Sequence, residues 1–296
     1  MKITKTFTGV FLLTFLIGII SFYLLILKTE KNVEQVEITQ VVPSDFPAQK
    51  IETKIEPEIL EENNDWETEE ESKFKTKLLE TGEGFRGDQI DAKSGEIWLG
   101  LFKEQESYSL RSTEIKIRRV YDEIVDEDET KKTGKSVGVE GKLKPIFLLK
   151  NANKLREVKI TTLFQGLTMD EISEAEESEL VSNEILTTLI KDFVQKYKIG
   201  GKEYELKVIE AKNKNNEKIF ALILESEGIR QVLHTSAESN LGTLYWVGDL
   251  DRDSQPDFYF SLYIQENTEY KNLFLSSEAE RGKLVKKVAV FSTSGC

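Results

Sequence analysis

Four carboxylates crowd one short stretch of this chain, and their spacing is that of a cation site. Gly248 to Phe260 reads GDLDRDSQPDFYF. Asp249, Asp251, Asp253 and Asp257 fall at positions 1, 3, 5 and 9 of a loop, and Gln255, at position 7, can offer its backbone carbonyl. Negative groups on so tight a turn repel one another unless a positive charge sits among them. Ca²⁺ suits the set, because it is a hard ion that takes about six to eight oxygens at roughly 2.3–2.6 Å in flexible geometry. The candidate metal ligands are therefore Asp249, Asp251, Asp253, Gln255 and Asp257, and the candidate cofactor is Ca²⁺. The competing reading is a solvated acidic turn, since Asp and Ser are good turn formers. No obvious nucleophile joins the set, so an ion here would hold a hairpin together rather than do chemistry.

The loop resembles the aspartate-rich calcium loop of FG-GAP and VCBS-type repeats, Asp-x-Asp-x-Asp-Gly-x-x-Asp before an apolar strand. Asp249, Asp251, Asp253 and Asp257 match its carboxylates, and Pro256-Asp257 followed by Phe258-Tyr259-Phe260 matches its lead into the strand. The resemblance covers about a dozen residues. It departs at the sixth position, where Ser254 replaces glycine; a left-handed backbone there costs a side chain roughly 1 kcal/mol or more. An EF-hand would need a bidentate glutamate at position 12, and Phe260 stands there instead.

The rest of the chain excludes more than it nominates. A net charge of -13 argues against nucleic acid, whose phosphates demand a basic footprint. The single cysteine, Cys296, and the single histidine, His234, exclude an intrachain disulfide, a cysteine-based zinc or redox motif and a multi-histidine metal site. Ser72-x-x-Lys75 and Lys132-Thr133-Gly134 look like fragments of the penicillin-binding set, but the first lies in an acidic spacer, the second in a charged loop, and the middle motif is missing. A P-loop is absent from the sequence. Paired carboxylates could still cleave glycans, but Asp and Glu are too abundant here for the sequence to nominate a pair.

The elements that must position the loop read as follows. Phe7 to Leu27 carries no charge and is long enough, at about 1.5 Å per residue, to cross a hydrocarbon core of about 30 Å. Residues 1–28 are thus expected to anchor the chain in a membrane through 7–27. Lys2 and Lys5 keep the N-terminus cytoplasmic and place the rest outside the cytoplasm. Secretion after signal cleavage is the alternative. Residues 29–84, broken by Pro43, Pro47 and Pro57 and loaded with glutamate, read as an acidic flexible stalk.

Residues 85–296 alternate apolar and polar side chains with period two, which predicts strands. Among these are 96–102, 145–149, 203–211, 218–225, 243–247, 258–264 and 270–275. Between 170 and 201 the spacing of Ile185, Leu186, Leu189, Ile190, Phe193, Val194 and Tyr197 predicts an amphipathic helix, with Ser182 as N-cap and Gly200-Gly201 as stop. Trp246 and Phe258 are expected to pack the two strands beside the loop together. The expected class is α+β: a mostly antiparallel β domain with one amphipathic helix, after an N-terminal transmembrane helix.

This domain is also similar to uncharacterised bacterial envelope proteins. The shared pattern comprises Gly95 to Leu101, Pro145 to Leu149, then Trp246, Gly248, Asp249, Asp251 and Asp257, Leu273 to Ser277, and Gly295-Cys296. That resemblance implies one coherent domain and no particular activity. The expected role is a membrane-anchored extracytoplasmic binding or scaffold module with one structural Ca²⁺ loop and a protein or glycan partner that the sequence leaves unidentified. The alternative is a carboxylate-based hydrolase acting on envelope glycans.

Overall fold

Period-two alternation governs nearly everything the structure shows. In this computed structural model the described residues are 73–128, 130–167, 171, 175–265 and 268–294. In chain order they form β1 (Lys77–Leu79), β2 (Gly82–Phe85), β3 (Ile97–Glu104), β4 (Ser107–Val120), β5 (Gly134–Val139), β6 (Pro145–Lys150) and β7 (Val158–Gln165). Then come α1 (Glu177–Thr187), β8 (Thr188–Ile190), β9 (Val194–Ile199), β10 (Lys202–Lys212), β11 (Lys218–Ser226) and β12 (Ile229–Ser236). Last are β13 (Asn240–Asp249), β14 (Asp257–Gln265), β15 (Thr268–Leu275) and β16 (Lys286–Ser294). A twelve-stranded sheet runs β1-β6-β3-β4-β7-β13-β14-β15-β16, with β2, β5 and β8 paired off that path, and a four-stranded sheet runs β12-β11-β10-β9.

Alternation on β14 and β15 sorts side chains into two cores. Tyr259 and Leu273 join Trp246, Phe147 and Leu101 on one face of the large sheet. Phe258, Phe260 and Phe274 join Leu206, Leu222 and Leu224 of the four-stranded sheet on the other. Strands β13 to β15 are therefore buried on both faces, which explains why 258–260 reads Phe-Tyr-Phe without a polar break. Trp246 and Phe258, expected to pack together across the hairpin, instead sit in different cores. A register shift between Leu244 and Trp246 pairs Trp246 with Tyr259 and Val247 with Phe258.

The two ends of the large sheet share the first core. Leu78 and Leu79 of β1 lie in the same cluster as Ala289 and Phe291 of β16, and Phe85 meets Phe291 edge-on at 5.8 Å between ring centroids. Residues 77–84, which composition assigns to the end of the stalk, thus hold β1 and most of β2.

The α+β expectation is overturned. Among the described residues every strand pair is antiparallel, and α1, the helix that closes just before β8, has only 11 residues. Its N-cap is Glu176 rather than Ser182, whose hydroxyl bonds back to the Ser178 carbonyl inside the helix. Leu189, Phe193 and Tyr197 fit a helical stripe, but Leu189 lies on β8, a turn at Lys191 and Asp192 follows, and Tyr197 lies on β9; the three are buried together, while Ile190 and Val194 are exposed. Gly200 and Gly201 stop no helix. Both have positive φ, 59° and 76°, and make the two-residue turn between β9 and β10. The run 7–27 and the spacer to residue 72 lie outside the described residues. Among the described residues no helix is long and apolar enough to cross a membrane.

His234 faces inward on β12 and is buried, with Nε2 3.1 Å from the Tyr263 carbonyl. Burial pushes its imidazole from 6.5 down to about 4, so the native ring stays neutral at physiological pH. The unfolded chain takes up a proton as pH falls through 6.5, and the native protein cannot until about 4. The stabilisation this supplies is full above 6.5 and is lost as pH falls toward 4, a change of about 3 kcal/mol. Urea midpoints at pH 7 and pH 4.5 should therefore fall further apart for the native sequence than for His234→Gln. An equal separation in both would mean that His234 titrates normally.

Candidate metal centre

Strand β13 ends at Asp249 and β14 begins at Asp257, so the acidic loop is the turn of a hairpin whose strands are fixed by both cores. The loop folds around its own carboxylates. Asp249 is buried and accepts the Asp253 N–H at 3.0 Å and the Ser254 N–H at 3.1 Å. Asp257 has no exposed surface; it accepts the Leu250 N–H at 2.7 Å on one oxygen and the Ser276 N–H at 2.8 Å on the other. Asp253 accepts the Gln255 N–H at 2.8 Å and the Gln255 side-chain amide at 3.1 Å. Ser254 adopts φ 63° and Arg252 φ 65°, so the sixth position takes the left-handed conformation despite its side chain. The missing glycine is a strain within the loop rather than a change of its path.

Asp249, Asp251 and Asp257 converge, with one oxygen of each within 4.8 Å of the others. Burial raises the Asp257 carboxyl well above its usual range, and the charge of Asp251 adds to the rise. Burial also raises Asp249, with Asp253 and Asp251 contributing. Asp251 is raised by burial too, and Ser277 offsets part of that. Yet Asp251 Oδ2 and the Ser277 hydroxyl are both enclosed without a hydrogen bond of ordinary geometry. The Ser276 hydroxyl lies 3.0 Å from Asp253 Oδ2 and 2.9 Å from Asp257 Oδ1, and its single proton can serve one of them. An all-oxygen set, mutual repulsion and an unsatisfied carboxylate oxygen are what a hard cation would relieve. The three carboxylates fit a metal ion.

Of the five residues nominated from sequence, the structure thus brings three into one cluster. Asp253 and Gln255 line the same turn, bonded to each other and, through Gln255 Oε1, 3.5 Å from the Tyr204 hydroxyl on β10. Ser276, Ser277 and Tyr204 are additions. The two serines stand in the Leu273 to Ser277 run of the envelope-protein pattern, but nothing local to them shows that they meet a loop about 20 residues earlier. A Cβ at Gly200 would meet the Ser254 carbonyl at 2.4 Å, so the β9–β10 turn also abuts the loop.

A second polar cluster lies inside the large sheet. Lys271 is buried; its ammonium sits 2.7 Å from Glu269, 3.7 Å from Glu80 and 4.0 Å above the Tyr245 ring. Burial opposes its charge, but Glu80, Tyr245 and Glu269 outweigh that and hold it above its usual range. Tyr259 donates to Glu80 at 2.5 Å, and Ser261 donates to Glu269 at 2.7 Å. Neither carboxylate lines either of two shallow clefts, of about 380 and 240 Å³, whose walls carry one carboxylate each, Glu157 and Glu140.

No family model, curated protein or solved structure matches this chain.

Proposed function

We propose that this chain is an extracytoplasmic binding or scaffold module, tethered to a membrane through residues 7–27 with its N-terminus in the cytoplasm, in which one Ca²⁺ ion has a structural role. The observation that carries the reading is the convergence of Asp249, Asp251 and Asp257 with an enclosed, unsatisfied oxygen on Asp251. Asp253 and Gln255 complete the oxygen set, as the FG-GAP-like spacing implies. The ion supplies positive charge and nothing else. The protein's own groups do the rest: the N–H donors of Leu250, Asp253, Ser254 and Ser276 aim the carboxylates inward. The loop so fixed meets the β9–β10 turn at Gly200 and β10 at Tyr204, and a rigid loop there stiffens the junction between the two sheets.

Hydrolysis of glycans has less support. A carboxylate pair for glycosidic cleavage stands roughly 5–10 Å apart across a space that admits a sugar. Here each cleft has a single carboxylate, and Glu80 and Glu269 are neutralised by the one lysine between them.

Titration calorimetry with Ca²⁺ and with Mg²⁺ tests the reading. One Ca²⁺ site is expected, weaker for Mg²⁺, which demands stricter octahedral geometry. Asp251→Asn should weaken Ca²⁺ binding by about tenfold or more. Absence of Ca²⁺ binding, or equal binding by the variant, would contradict it.

A further inference from the structure

Antiparallel pairing leaves every second residue of an edge strand with its backbone N–H and C=O turned away from its neighbour. Strand β9 is an edge of the four-stranded sheet, paired with β10. The register sets Ile199 opposite Lys202 across the Gly200-Gly201 turn, and the Val208 N–H donates to the Phe193 carbonyl at 3.0 Å. Phe193, Gln195, Tyr197 and Ile199 therefore bond toward β10. Val194, Lys196 and Lys198 turn their N–H and C=O groups outward, and among the described residues those groups have no backbone partner. The opposite edge is closed. On β12 the Gln231 side chain accepts the Leu284 and Val285 N–H groups at 2.7 and 3.0 Å and donates to the Val285 carbonyl at 2.8 Å. On β9 the Gln195 side chain donates to the Leu186 carbonyl of α1 at 2.5 Å, a contact that uses none of the outward backbone groups.

The side chains of β9 say what kind of strand fits beside it. Tyr197 is buried and Ile199 packs against the core between the sheets, so one face of the edge is apolar. Val194, Lys196 and Lys198 lie on the other face. Lys196 rests on Glu205 and Glu203 of β10 at 3.2 and 3.7 Å, and Lys198 has no ion pair among the described residues. Lysine on an edge deters a like strand, and a second copy of β9 would bring the lysines of both copies together. A strand with carboxylates at alternate positions meets them with opposite charge, the pairing that stabilises cross-strand neighbours. The residues between those carboxylates point to the face of Tyr197 and Ile199, where apolar side chains extend the core.

We infer that β9 takes up an extended segment of a partner protein by strand addition, one in which acidic and apolar residues alternate. The outward backbone groups of Val194, Lys196 and Lys198 supply the hold, and the alternation supplies the selection. The turn that ends β9 abuts the acidic loop at Gly200, so the docking edge grows from the junction which that loop stiffens. The inference deepens the binding-module reading and rests on it, but not on the metal: a chain that takes Ca²⁺ and no peptide loses this inference alone.

The probe is a capped decapeptide of alternating valine and glutamate, with a valine–lysine decapeptide as its counterpart, each titrated into the full chain in detergent. Amide hydrogen exchange at Val194, Lys196 and Lys198 should slow at least about tenfold with the acidic peptide and stay unchanged with the basic one. Lys196→Pro removes one outward N–H and leaves the ladder to β10 intact. It should keep the native near-ultraviolet dichroism spectrum and lose the peptide. Lys198→Glu leaves the backbone untouched, carries the test where proline disturbs the strand, and should weaken binding about fivefold. No binding, binding without slowed exchange at these amides, or equal affinity for both peptides would overturn the proposal, as would a folded proline variant that binds normally. Exchange already slow in the unliganded chain and quickened by dilution would overturn it too, by placing a second copy on the edge.

Discussion

Asp257→Ala is expected to destabilise the domain by about 4 kcal/mol, measured by denaturant unfolding without added metal. Its side chain has no exposed surface and accepts from the Leu250 N–H, the Ser276 N–H and the Ser276 hydroxyl. An enclosed donor stripped of its acceptor costs about 1–3 kcal/mol. Alanine strands two backbone donors at once and leaves a void besides. Asp257→Asn should fall between, because an amide keeps one accepting oxygen and turns an NH₂ group toward one of the donors. Were alanine to cost less than about 1 kcal/mol, the loop would not be held from β14 and the Ser276 turn as described.

The second large effect belongs to the buried cation. Lys271→Met removes the positive charge between Glu269 and Glu80 but keeps most of the volume. Breaking a buried ion pair by removing one partner costs about 3–5 kcal/mol. The lower end, about 3 kcal/mol, applies here, because Glu269 keeps 38% of its side chain in contact with solvent. Burial already raises the Glu80 carboxyl, and Lys271, together with the Tyr259 hydrogen bond, offsets part of that rise. Adding Glu80→Gln and Glu269→Gln to Lys271→Met should recover most of the loss, since uncharged groups of similar shape tolerate that interior. The urea midpoint is the readout. Equal destabilisation in the single and triple variants would mean that packing, not charge, dominates. Glu80 lies between β1 and β2 and its partners on β14 and β15, so this network ties the first strands of the domain to its last ones.

The strands were legible because alternation is a local property, and β3, β6, β10, β11, β14 and β15 fall where period two placed them. The stretch from Leu189 to Tyr197 was not, because its apolar spacing reads as a helical stripe, whereas a turn at Lys191 and Asp192 divides it between β8, paired with β13, and β9, paired with β10. Leu78 and Leu79 were hidden by glutamate-rich surroundings that read as spacer. The acidic loop was legible as a spacing of side chains, including three that converge. Its second half was not. Ser276 and Ser277 reach it through the β14–β15 pairing, and Gly200 and Tyr204 reach it across two sheets, which no window of sequence contains.

Thermal unfolding with saturating Ca²⁺ and with chelator, on the native chain and on Asp251→Asn, tests the metal site most directly. Asp251 is the informative position because its Oδ2 is enclosed without a hydrogen bond of ordinary geometry. A ligand specific to the folded state, at 100 times its dissociation constant, adds about 2.7 kcal/mol, which for a domain of this size raises the midpoint by about 5–10 °C. The account predicts that rise in the native chain and its loss in Asp251→Asn. A midpoint indifferent to Ca²⁺, or an equal rise in both proteins, would contradict it.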